Sequence, residues 1–486
     1  MKVAVVGSGY VGLVAGACLA DLGHEVTLVD SDKEKLNTLK AGVVPIHEKF
    51  LPELVARNSR AGRLVFSDSL PEAVGKSLVI FIAVGTPAME TGDPDLSYVE
   101  EVVSVIAKHV DHYKVVVEKS TVPVLTHEQI RKVMLLNGAP AEAFDVVSNP
   151  EFLREGTAVQ DFLYPDRIVV GVSNEKSASI LRDLYEPLVQ GAYCRRSDAV
   201  PASAGQNGKT EFIVTSAKSA ELIKHASNAF LAMKISFINA VASLCDAVGA
   251  NVEEVSKGIG ADHRIGQSFL RPGIGFGGSC FPKDLTAFQL VARECGVNFS
   301  LLEKVVEINH EQRNRFLRKV RGALWTLKGK RLAVLGLAFK GGTDDIRESP
   351  AIAIIKGLLE EGAQVAAFDP AAMERTQSVL GQSIVYAETP YAACHSAHAL
   401  LILTDWPEFK DLDLARIRRE MRHPIVIDGR NMFHPEDMAN AGFHYYSMGR
   451  TTPPAASSHP RGPVTPISPG LELQELNGST TMTAAR

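Results

Sequence analysis

The sequence predicts an α/β protein with two Rossmann-like, doubly wound parallel sheets, joined by a long central helix and followed by a disordered tail. Two series of short apolar runs alternate with helical segments, one starting at residue 2 and one at Arg331. Between them, the segment from Thr215 to Gly249 keeps a helical pattern with few breakers. From Thr451 the chain is rich in Pro, Ser and Ala and lacks a core pattern. We therefore expect domains at residues 1–200, 201–325 and 326–447, and a tail at 448–486.

The composition indicates a soluble, multidomain enzyme of the cytoplasm. A length of 486 residues corresponds to roughly three domains, and a hydrophobic content of 45% is enough for large cores. A net charge of −5 gives no basic surface for nucleic acid, and no apolar run approaches the about 20 residues that cross a membrane. The six cysteines are scattered without CxxC spacing, so we expect reduced thiols and no metal site.

The first predicted strand and helix carry a dinucleotide-binding pattern. Gly7, Gly9 and Gly12 lie between the apolar run 2–6 and a helical segment, and Asp30 ends the next predicted strand. Glycines at this spacing allow a tight turn and the close approach of a pyrophosphate to the helix N-terminus. An acid about 20 residues downstream can accept hydrogen bonds from an adenosine ribose, and it would repel a 2′-phosphate. The pattern predicts NAD as the cofactor.

Polar residues follow three further predicted strands of the first domain. Thr86, Thr121, Glu151 and Glu155 all come shortly after an apolar run. Loops at the carboxyl ends of parallel strands converge on the ligand crevice. A single Ser/Thr-Pro element is more often a turn or a helix cap, but the shared position of these four residues makes them candidates for ligand binding.

Lys224 and Asn228 lie on one face of the predicted central helix. They are four residues apart, hence one turn apart, and together they can hold a developing oxyanion by charge and hydrogen bond. Without other signals, the more common explanation of such a pair is an exposed helix face. A helix of this length is also suited to connect domains and to contact a second subunit.

A glycine-rich segment places Cys280 next to a predicted helix. Four glycines precede Cys280, and Pro282 together with the apolar run 285–291 marks a helix start. We expect Cys280 just ahead of the helix N-terminus, where the helix dipole and Lys283 would stabilise a thiolate. The pattern favours a reactive nucleophile over the alternative, a buried structural cysteine behind a turn.

The second predicted sheet lacks the GxGxxG pattern. Its first strand lies in the run 331–339, and the strand 364–368 follows one helix later. We expect this domain to bind a nucleotide other than NAD. Lys340, Arg347 and Arg430 follow its strands and could contact phosphates or a sugar.

Seven ordered motifs run along the chain: GSGYVG at 7–12, GTP at 85–87, STVP at 120–123, NPEFLRE at 149–155, KHASN at 224–228, GFGGSCFPKD at 275–284 and DDIRESP at 344–350. With these motifs the chain resembles the UDP-glucose/GDP-mannose dehydrogenase family from residue 1 to about residue 446. The family oxidises the C6 alcohol of a nucleotide sugar to a carboxylate and reduces two NAD molecules. The resemblance implies the oxidation of UDP-glucose to UDP-glucuronate.

The resemblance also implies chemical roles. Cys280 would attack the C6 aldehyde formed by the first oxidation, giving a thiohemiacetal, and a second oxidation would give a thioester. Lys224 and Asn228 match the family's oxyanion-stabilising pair, and Lys224 can also take part in deprotonating the alcohol. The family's water-activating base and its hydrogen-bonding neighbours match Glu151, Thr121 and Asp284.

Two sets of ligand contacts follow from the same resemblance. The UDP-sugar contacts are Glu151, Phe152, Leu153, Arg154, Glu155, Lys224, Asn228, Phe269, Leu270, Arg271, Pro272, Gly273, Gly277 and Lys340, to which the position of Arg430 adds a further candidate. Besides the glycines of the first loop, the NAD contacts are Val11, Asp30, Lys35, Thr86, Thr121, Glu155, Lys283 and Arg347. Arg264 matches an arginine that reaches the sugar site of a partner subunit, so the resemblance implies a homodimer or a higher homo-oligomer.

Three alternatives stay open at this point. GDP-mannose or another nucleotide sugar could be the substrate, although Phe281 and the segment 273–275 lean toward UDP-glucose. The chain could instead be a catalytically silent nucleotide-sugar sensor or scaffold, which would have no need of an activated thiol. A one-step 3-hydroxyacid dehydrogenase would share the first domain and the long helix but would lack the cysteine loop and the second sheet.

Overall fold

A computed structural model of the protein describes residues 1–87, 89, 94–203, 205–206 and 208–450. The predicted disordered tail at 448–486 lies outside these described residues from position 451 onward.

The first sheet has the strand order β3-β2-β1-β4-β5-β6-β7-β8. Its strands are parallel except where β7 runs antiparallel to β6, joined by the single pair Ser148 and Gly171. The strands are β1 (Lys2–Val6), β2 (Glu25–Val29), β3 (Leu64–Ser67), β4 (Val79–Ile82), β5 (Lys114–Glu118), β6 (Phe144–Ser148), β7 (Arg167–Gly171) and β8 (Glu211–Thr215).

Helices cover both faces of this sheet. Val3 and Val5 of β1 join one apolar core and Ala4 and Val6 join another, because successive side chains of a strand point to opposite faces. The helices are α1 (Tyr10–Asp21), α2 (Lys33–Lys40), α3 (Leu51–Arg60), α4 (Leu70–Lys76), α5 (Ser97–Lys108), α6 (Thr126–Leu136), α7 (Ala158–Leu163) and α8 (Glu175–Val189), with a short 3₁₀ helix at Tyr193–Arg195.

Strand β8 lies beyond residue 200, the predicted limit of the first domain. It pairs in parallel with β7, with Arg167 opposite Glu211, so the first sheet continues to Thr215. The central helix starts two residues later. This edge strand carries little sequence signal, because it follows a polar, glycine-containing segment and none of its residues is fully buried.

The central region is helical, as predicted. It contains α9 (Ala217–Val248), α10 (Val252–Gly260), α11 (Cys280–Glu294) and α12 (Ser300–Leu324). Helix α9 is long and apolar enough to cross a membrane by length and composition alone. In the structure it packs against β7, α11 and α12, and it buries the polar side chains of Glu221, Lys224 and Asn228. One face of this helix therefore packs within the folded domain.

The second sheet is parallel throughout, with the order β11-β10-β9-β12-β13-β14. Its strands are β9 (Arg331–Leu335), β10 (Gln364–Phe368), β11 (Val385–Tyr386), β12 (Ala399–Ile402), β13 (Ile425–Asp428) and β14 (His444–Ser447). The helices around it are α13 (Pro350–Glu360), α14 (Met373–Leu380), α15 (Pro390–Cys394), α16 (Leu414–Glu420) and α17 (Pro435–Asn440), with a 3₁₀ helix at Pro407–Asp411. Two doubly wound sheets joined by a long helix confirm the predicted fold class.

Candidate active site

The turn between β1 and α1 is built for close approach of a ligand to the backbone. Gly7 has φ +100°, and a Cβ there would lie 2.6 Å from the Ala83 carbonyl oxygen. A Cβ on Gly12 would lie 1.8 Å from the Gly7 carbonyl oxygen, so glycine is required at both positions. Helix α1 begins after Gly9 without a side-chain cap, which leaves the N–H groups of its first turn, including that of Val11, for an anion. This cradle fits a dinucleotide pyrophosphate.

Asp30 lies at the end of β2 beside this turn. The Ser8 main-chain N–H donates to its carboxylate at 2.7 Å, and Lys35 Nζ lies 3.7 Å from it. Partial burial raises the pKa of Asp30, but the hydrogen bonds from Ser8 outweigh that effect and hold the pKa below its usual value. The group is therefore an ionised acceptor at neutral pH, as a ribose contact requires.

A crevice of about 510 Å³ opens between the first and second sheets. Gly9 and Lys35 line its first side, and Arg347 lines the side that belongs to the second sheet. Glu155, on the loop after β6, reaches across to Arg347, with Nη2 of the arginine 3.2 Å from the Glu155 carboxylate. Four residues predicted to contact NAD thus face one cavity.

Three other predicted NAD contacts meet at a second place. The Thr86 hydroxyl donates to the Thr121 carbonyl oxygen at 2.9 Å, and the Lys283 ammonium donates to the Thr86 hydroxyl. These contacts join the loops after β4 and β5 to the first turn of α11. They place Lys283 against neutral oxygen atoms.

Two buried polar pairs lie between the first sheet, α9 and α11. Lys224 Nζ lies 2.6 Å from the Glu151 carboxylate, and these side chains are 5% and 4% exposed. Asn228 donates to Asp284 at 2.5 Å. Burial raises the pKa of Glu151, but the charge of Lys224 and its hydrogen bond outweigh this effect. The pKa of Glu151 is therefore below its usual value, and the pair is ionic. The predicted Lys224 and Asn228 face is therefore buried within a cleft, and the alternative of an exposed helix face is wrong.

Cys280 is exposed and is the first residue of α11. The expectation that its thiol would have a lowered pKa is wrong. The surrounding protein and the negative charge of Glu151 raise the pKa of Cys280 to about 11, although Lys224 opposes them. Lys283, whose ammonium donates to the Thr86 hydroxyl, also attracts a thiolate at Cys280, but this attraction does not offset the burial.

The glycine-rich loop before Cys280 is fixed by contacts that the sequence did not reveal. Asn239 on α9 accepts the Gly273 N–H at 2.8 Å, and Asn309 on α12 accepts the Phe276 N–H at 2.8 Å. Since these residues are far away in sequence, only the fold brings them together. They fix the course of the chain toward the thiol.

Arg430 also holds the glycine-rich loop in place. Its guanidinium donates to the carbonyl oxygens of Leu403 at 2.8 Å, Phe339 at 2.7 Å and Gly275 at 3.3 Å. It therefore ties the cysteine loop to the second sheet through main-chain oxygens.

The other predicted substrate residues border the cleft in two segments. In the loop after β6, Phe152 stacks under the Arg167 guanidinium at 4.0 Å, Leu153 donates its N–H to Glu151 and Arg154 pairs with Asp161. In the segment before the cysteine loop, Leu270 and Pro272 are buried and Arg271 is exposed. Three positions remain. The ring centroid of Phe269 lies 6.3 Å from that of Phe281. Gly277 packs on Glu348, and Lys340 lies beside Glu155.

Arg264 is not brought into this cleft by its own chain. Its side chain is 79% exposed and pairs with neighbouring Asp262.

Tyr10 and Glu48, which the sequence did not single out, link the dinucleotide turn to the substrate loop. The Gly156 N–H donates to the Tyr10 hydroxyl at 2.8 Å and to the Glu48 carboxylate at 2.7 Å, and the Tyr10 hydroxyl also donates to Glu48. A spacing pattern could not have revealed this contact, since it joins the start of α1 to two separate loops.

A dinucleotide turn, an exposed cysteine in a polar cleft and a second nucleotide-type sheet define a dinucleotide-dependent oxidoreductase. Sequence profiles of the UDP-glucose/GDP-mannose dehydrogenase family match the chain in three parts. They are the NAD binding domain at residues 1–189, the central domain at 218–311 and the UDP binding domain at 333–435. The chain therefore belongs to the UDP-glucose/GDP-mannose dehydrogenase family and has its NAD-binding domain.

Similar proteins cover nearly the whole chain. The UDP-glucose 6-dehydrogenase TuaD of Bacillus subtilis is 44% identical over 475 residues, covering 98% of each chain. The UDP-glucose 6-dehydrogenase of Rhizobium meliloti is 45% identical, covering 93% of this chain and 100% of the other. A solved UDP-glucose dehydrogenase from Pyrobaculum islandicum is 37% identical with a TM-score of 0.82, covering 92% of this chain and 98% of that one. The protein is thus an NAD-dependent nucleotide-sugar dehydrogenase, as predicted.

Proposed function

We propose that the protein oxidises UDP-glucose to UDP-glucuronate in two NAD-dependent steps. The observation that carries this proposal is the meeting of Cys280 with the buried pairs Lys224–Glu151 and Asn228–Asp284 in one cleft beside the dinucleotide turn. The choice of sugar is supported by the relatives, which are UDP-glucose 6-dehydrogenases at 44% and 45% identity.

In the first half of the reaction, the C6 alcohol loses a hydride and a proton to become an aldehyde. NAD supplies the electron acceptor for this and for the second oxidation. Lys224 and Asn228 present an ammonium and an amide N–H to the substrate oxygen, where negative charge develops. Their partners Glu151 and Asp284 hold both groups in place.

In the second half, the Cys280 sulfur adds to the aldehyde carbon, and its proton passes to the new hydroxyl of the thiohemiacetal. Loss of a second hydride and a proton then gives a thioester on Cys280. Glu151 then accepts a proton from water as the water oxygen attacks the thioester carbon, and Cys280 leaves as a thiol. One sugar thus yields two reduced cofactors, a carboxylate and three protons.

The remaining predicted contacts divide between the two ligands. We assign the segments 151–155 and 269–273, with Gly277, Lys340 and Arg430, to the UDP-sugar, because they border the cleft next to the second sheet. Gly9, Lys35, Glu155 and Arg347 are assigned to NAD, since they line the large crevice.

Counting products against substrate tests this proposal. With NAD in excess and UDP-glucose limiting, we expect two NADH per sugar consumed. Cys280→Ala should abolish formation of the acid, whereas Cys295→Ala, at the other end of α11 and also exposed, should turn over like the wild type. One NADH per sugar with released aldehyde would contradict the role of Cys280. Turnover of GDP-mannose but not UDP-glucose would keep the chemistry and change the substrate.

The same proposal includes a homo-oligomer in the cytoplasm. Phe230, Phe237 and Leu244 lie seven residues apart on α9, and each is more than half exposed. Such a row of large apolar side chains on one helix face suits contact with a second copy of the chain. The free cysteines fit a reducing compartment.

A further inference from the structure

A second, much smaller cavity lies behind the Lys224–Glu151 pair. Its volume of about 10 Å³ is at the lower limit of what a single water molecule needs. Charged side chains from β5, the loop after β6 and α9 line it: Glu118, Lys119, Glu151, Glu221 and Lys224. The proposed chemistry does not by itself require a polar cavity on this side of the pair.

Glu118 gives this cavity a free acceptor. The residue is 2% exposed, and its Oε2 accepts from the Ser148 hydroxyl at 3.1 Å. Its Oε1 has no hydrogen-bond partner among the described residues. Because an unpaired buried carboxyl oxygen is costly, a cavity of this size beside it suits an ordered water that bridges to the neighbouring groups.

Glu221 connects the cavity with the surface. Its carboxylate accepts the main-chain N–H groups of Leu125 at 2.8 Å and His127 at 2.9 Å, and it lies 3.1 Å from His127 Nδ1. The Glu221 side chain is 1% exposed and that of His127 is 15% exposed, so the imidazole reaches solvent. A continuous set of titratable groups thus runs from the catalytic pair outward.

The groups around the cavity are suited to exchange protons near neutral pH. Burial lowers the pKa of Lys119 to about 8, against the charges of Glu151 and Glu118. Burial and the charge of Glu221 raise the pKa of Glu118 well above its usual value. His225 on α9 also faces this region and bonds the Val122 carbonyl oxygen through Nε2 at 2.7 Å.

We infer that this set of residues is the route by which protons leave the closed active site. A proton taken up at Glu151 or Lys224 passes to the cavity water. From there it passes to Glu221, either directly or by way of the Glu118 carboxyl, which releases its own proton as it accepts this one, and then through His127 to solvent. Each transfer breaks one bond to hydrogen and forms another, and no electrons move. The inference rests on the proposed function, which releases three protons for every sugar.

Stopped-flow measurement of protons and NADH in one experiment tests the route. The variants are Glu118→Gln and His127→Ala, and the matched control is Glu128→Gln, which lies on the same helix as His127 but is exposed and paired with Lys218. A pH indicator in weak buffer reports protons, and absorbance reports NADH. In Glu118→Gln we expect kcat to fall by about 10-fold or more, with KM for UDP-glucose unchanged, because a proton carrier has been lost.

The two variants should also give signatures that a structural defect would not. Proton release should lag behind NADH formation, and the solvent deuterium isotope effect on kcat should rise in both. Imidazole added to the buffer should restore His127→Ala, since that position is at the surface. Glu128→Gln should match the wild type in each measurement.

Proton release that keeps pace with NADH at the wild-type rate in both variants would overturn the route. So would a slower kcat without a lag or a larger isotope effect. If Glu118→Gln fails to fold, His127→Ala and its response to imidazole decide the matter. Failure of the wild type to oxidise UDP-glucose would instead refute the proposed function, and the same lag would then be sought with the nucleotide sugar that it does oxidise.

Discussion

The environment of Cys280 determines when its thiol reacts. Although Cys280 is exposed, the neighbouring protein atoms limit hydration of its sulfur, and this desolvation together with the charges of Glu151 and Asp284 disfavours a thiolate, whereas Lys224 favours it. At neutral pH the resting thiol is therefore protonated, and its oxidation and alkylation are slow. Such a thiol can still add to an aldehyde, provided that its proton has an acceptor in the cleft. Lys224 and Asn228 then stabilise the charge that appears on the substrate oxygen.

Alkylation of Cys280 should follow this raised pKa. Because only the thiolate reacts, the iodoacetamide rate at Cys280 should rise about tenfold per pH unit from pH 7 toward its pKa of about 11. Lys224→Met should slow the reaction further at each pH, since the cation that lowers this pKa most is removed. Peptide mass spectrometry measures modification of Cys280 separately from that of the other exposed cysteines. A rate that reaches its plateau below pH 8 would contradict the raised pKa.

At the scale of elements, the loop before Cys280 depends on backbone contact with the second sheet. A Cβ on Gly277 would lie 2.3 Å from the Glu348 carbonyl oxygen and 2.9 Å from Pro350 Cδ. Neither neighbour is the free end of a flexible side chain, so Gly277→Ala must displace the loop. A shift of about 1 Å near a reacting atom can cost about 100-fold in rate, and we expect a loss of that order in kcat.

Gly258→Ala is the matched control for this substitution. Gly258 lies within α10, and a Cβ there would meet nothing within 4 Å. We expect wild-type turnover and unchanged or slightly higher thermal stability, because alanine favours a helix over glycine. Steady-state kinetics and thermal melts of both variants provide the comparison. Equal kcat values for Gly277→Ala and the wild type would show that the loop tolerates displacement.

The sequence predicts best those elements whose structure is determined by residues close together in the chain. The turn at Gly7 and Gly12 and the long helix α9 were predictable, since periodicity and glycine spacing are local signals. The position of Cys280 was wrong by one residue, because the helix begins at Cys280 itself. The predicted direction of its pKa shift was wrong, since that shift depends first on desolvation by the folded protein and then on the charge of Glu151 from another element. Asn309 and Asn239 were missed for the same reason: their contacts join separate helices.

At the scale of the whole molecule, Glu155 joins the two sheets across the NAD crevice. Burial and the negative charge of Asp345 raise the pKa of Glu155 to about 7, against the opposing charge of Arg347. Asp345 keeps a lowered pKa because, although burial raises it, hydrogen bonds from Arg347 outweigh that effect. The proton of this carboxyl pair therefore resides on Glu155.

Thermal stability should respond to pH through Glu155. The folded state binds this proton more tightly than the unfolded chain, so its contribution is full below the ordinary glutamate pKa of 4.5 and is lost as pH rises through about 7. Glu155→Gln cannot ionise, and we expect it to melt above the wild type at pH 8 and close to it at pH 4. Glu361→Gln is the control, because a hydrogen bond from Arg321 lowers the pKa of Glu361 and keeps its titration below this range. If the difference in melting temperature between the wild type and Glu155→Gln is the same at pH 4 and pH 8, the raised pKa of Glu155 is refuted.

The exposed row on α9 makes the oligomer testable independently of catalysis. Phe237 is 55% exposed at the middle of that row, so Phe237→Glu would place a charge in the proposed contact, where its desolvation is costly. We expect the wild type to have a mass that is a multiple of 52.4 kDa by light scattering, and Phe237→Glu to approach 52.4 kDa itself. Leu136→Glu, at a more exposed apolar position on α6, should keep the wild-type mass. Arg264 lies outside the cleft of its own chain. If it contacts the sugar in the cleft of a partner subunit, dissociation should also lower activity. A wild type that is monomeric at working concentration would remove both the contact and this role for Arg264.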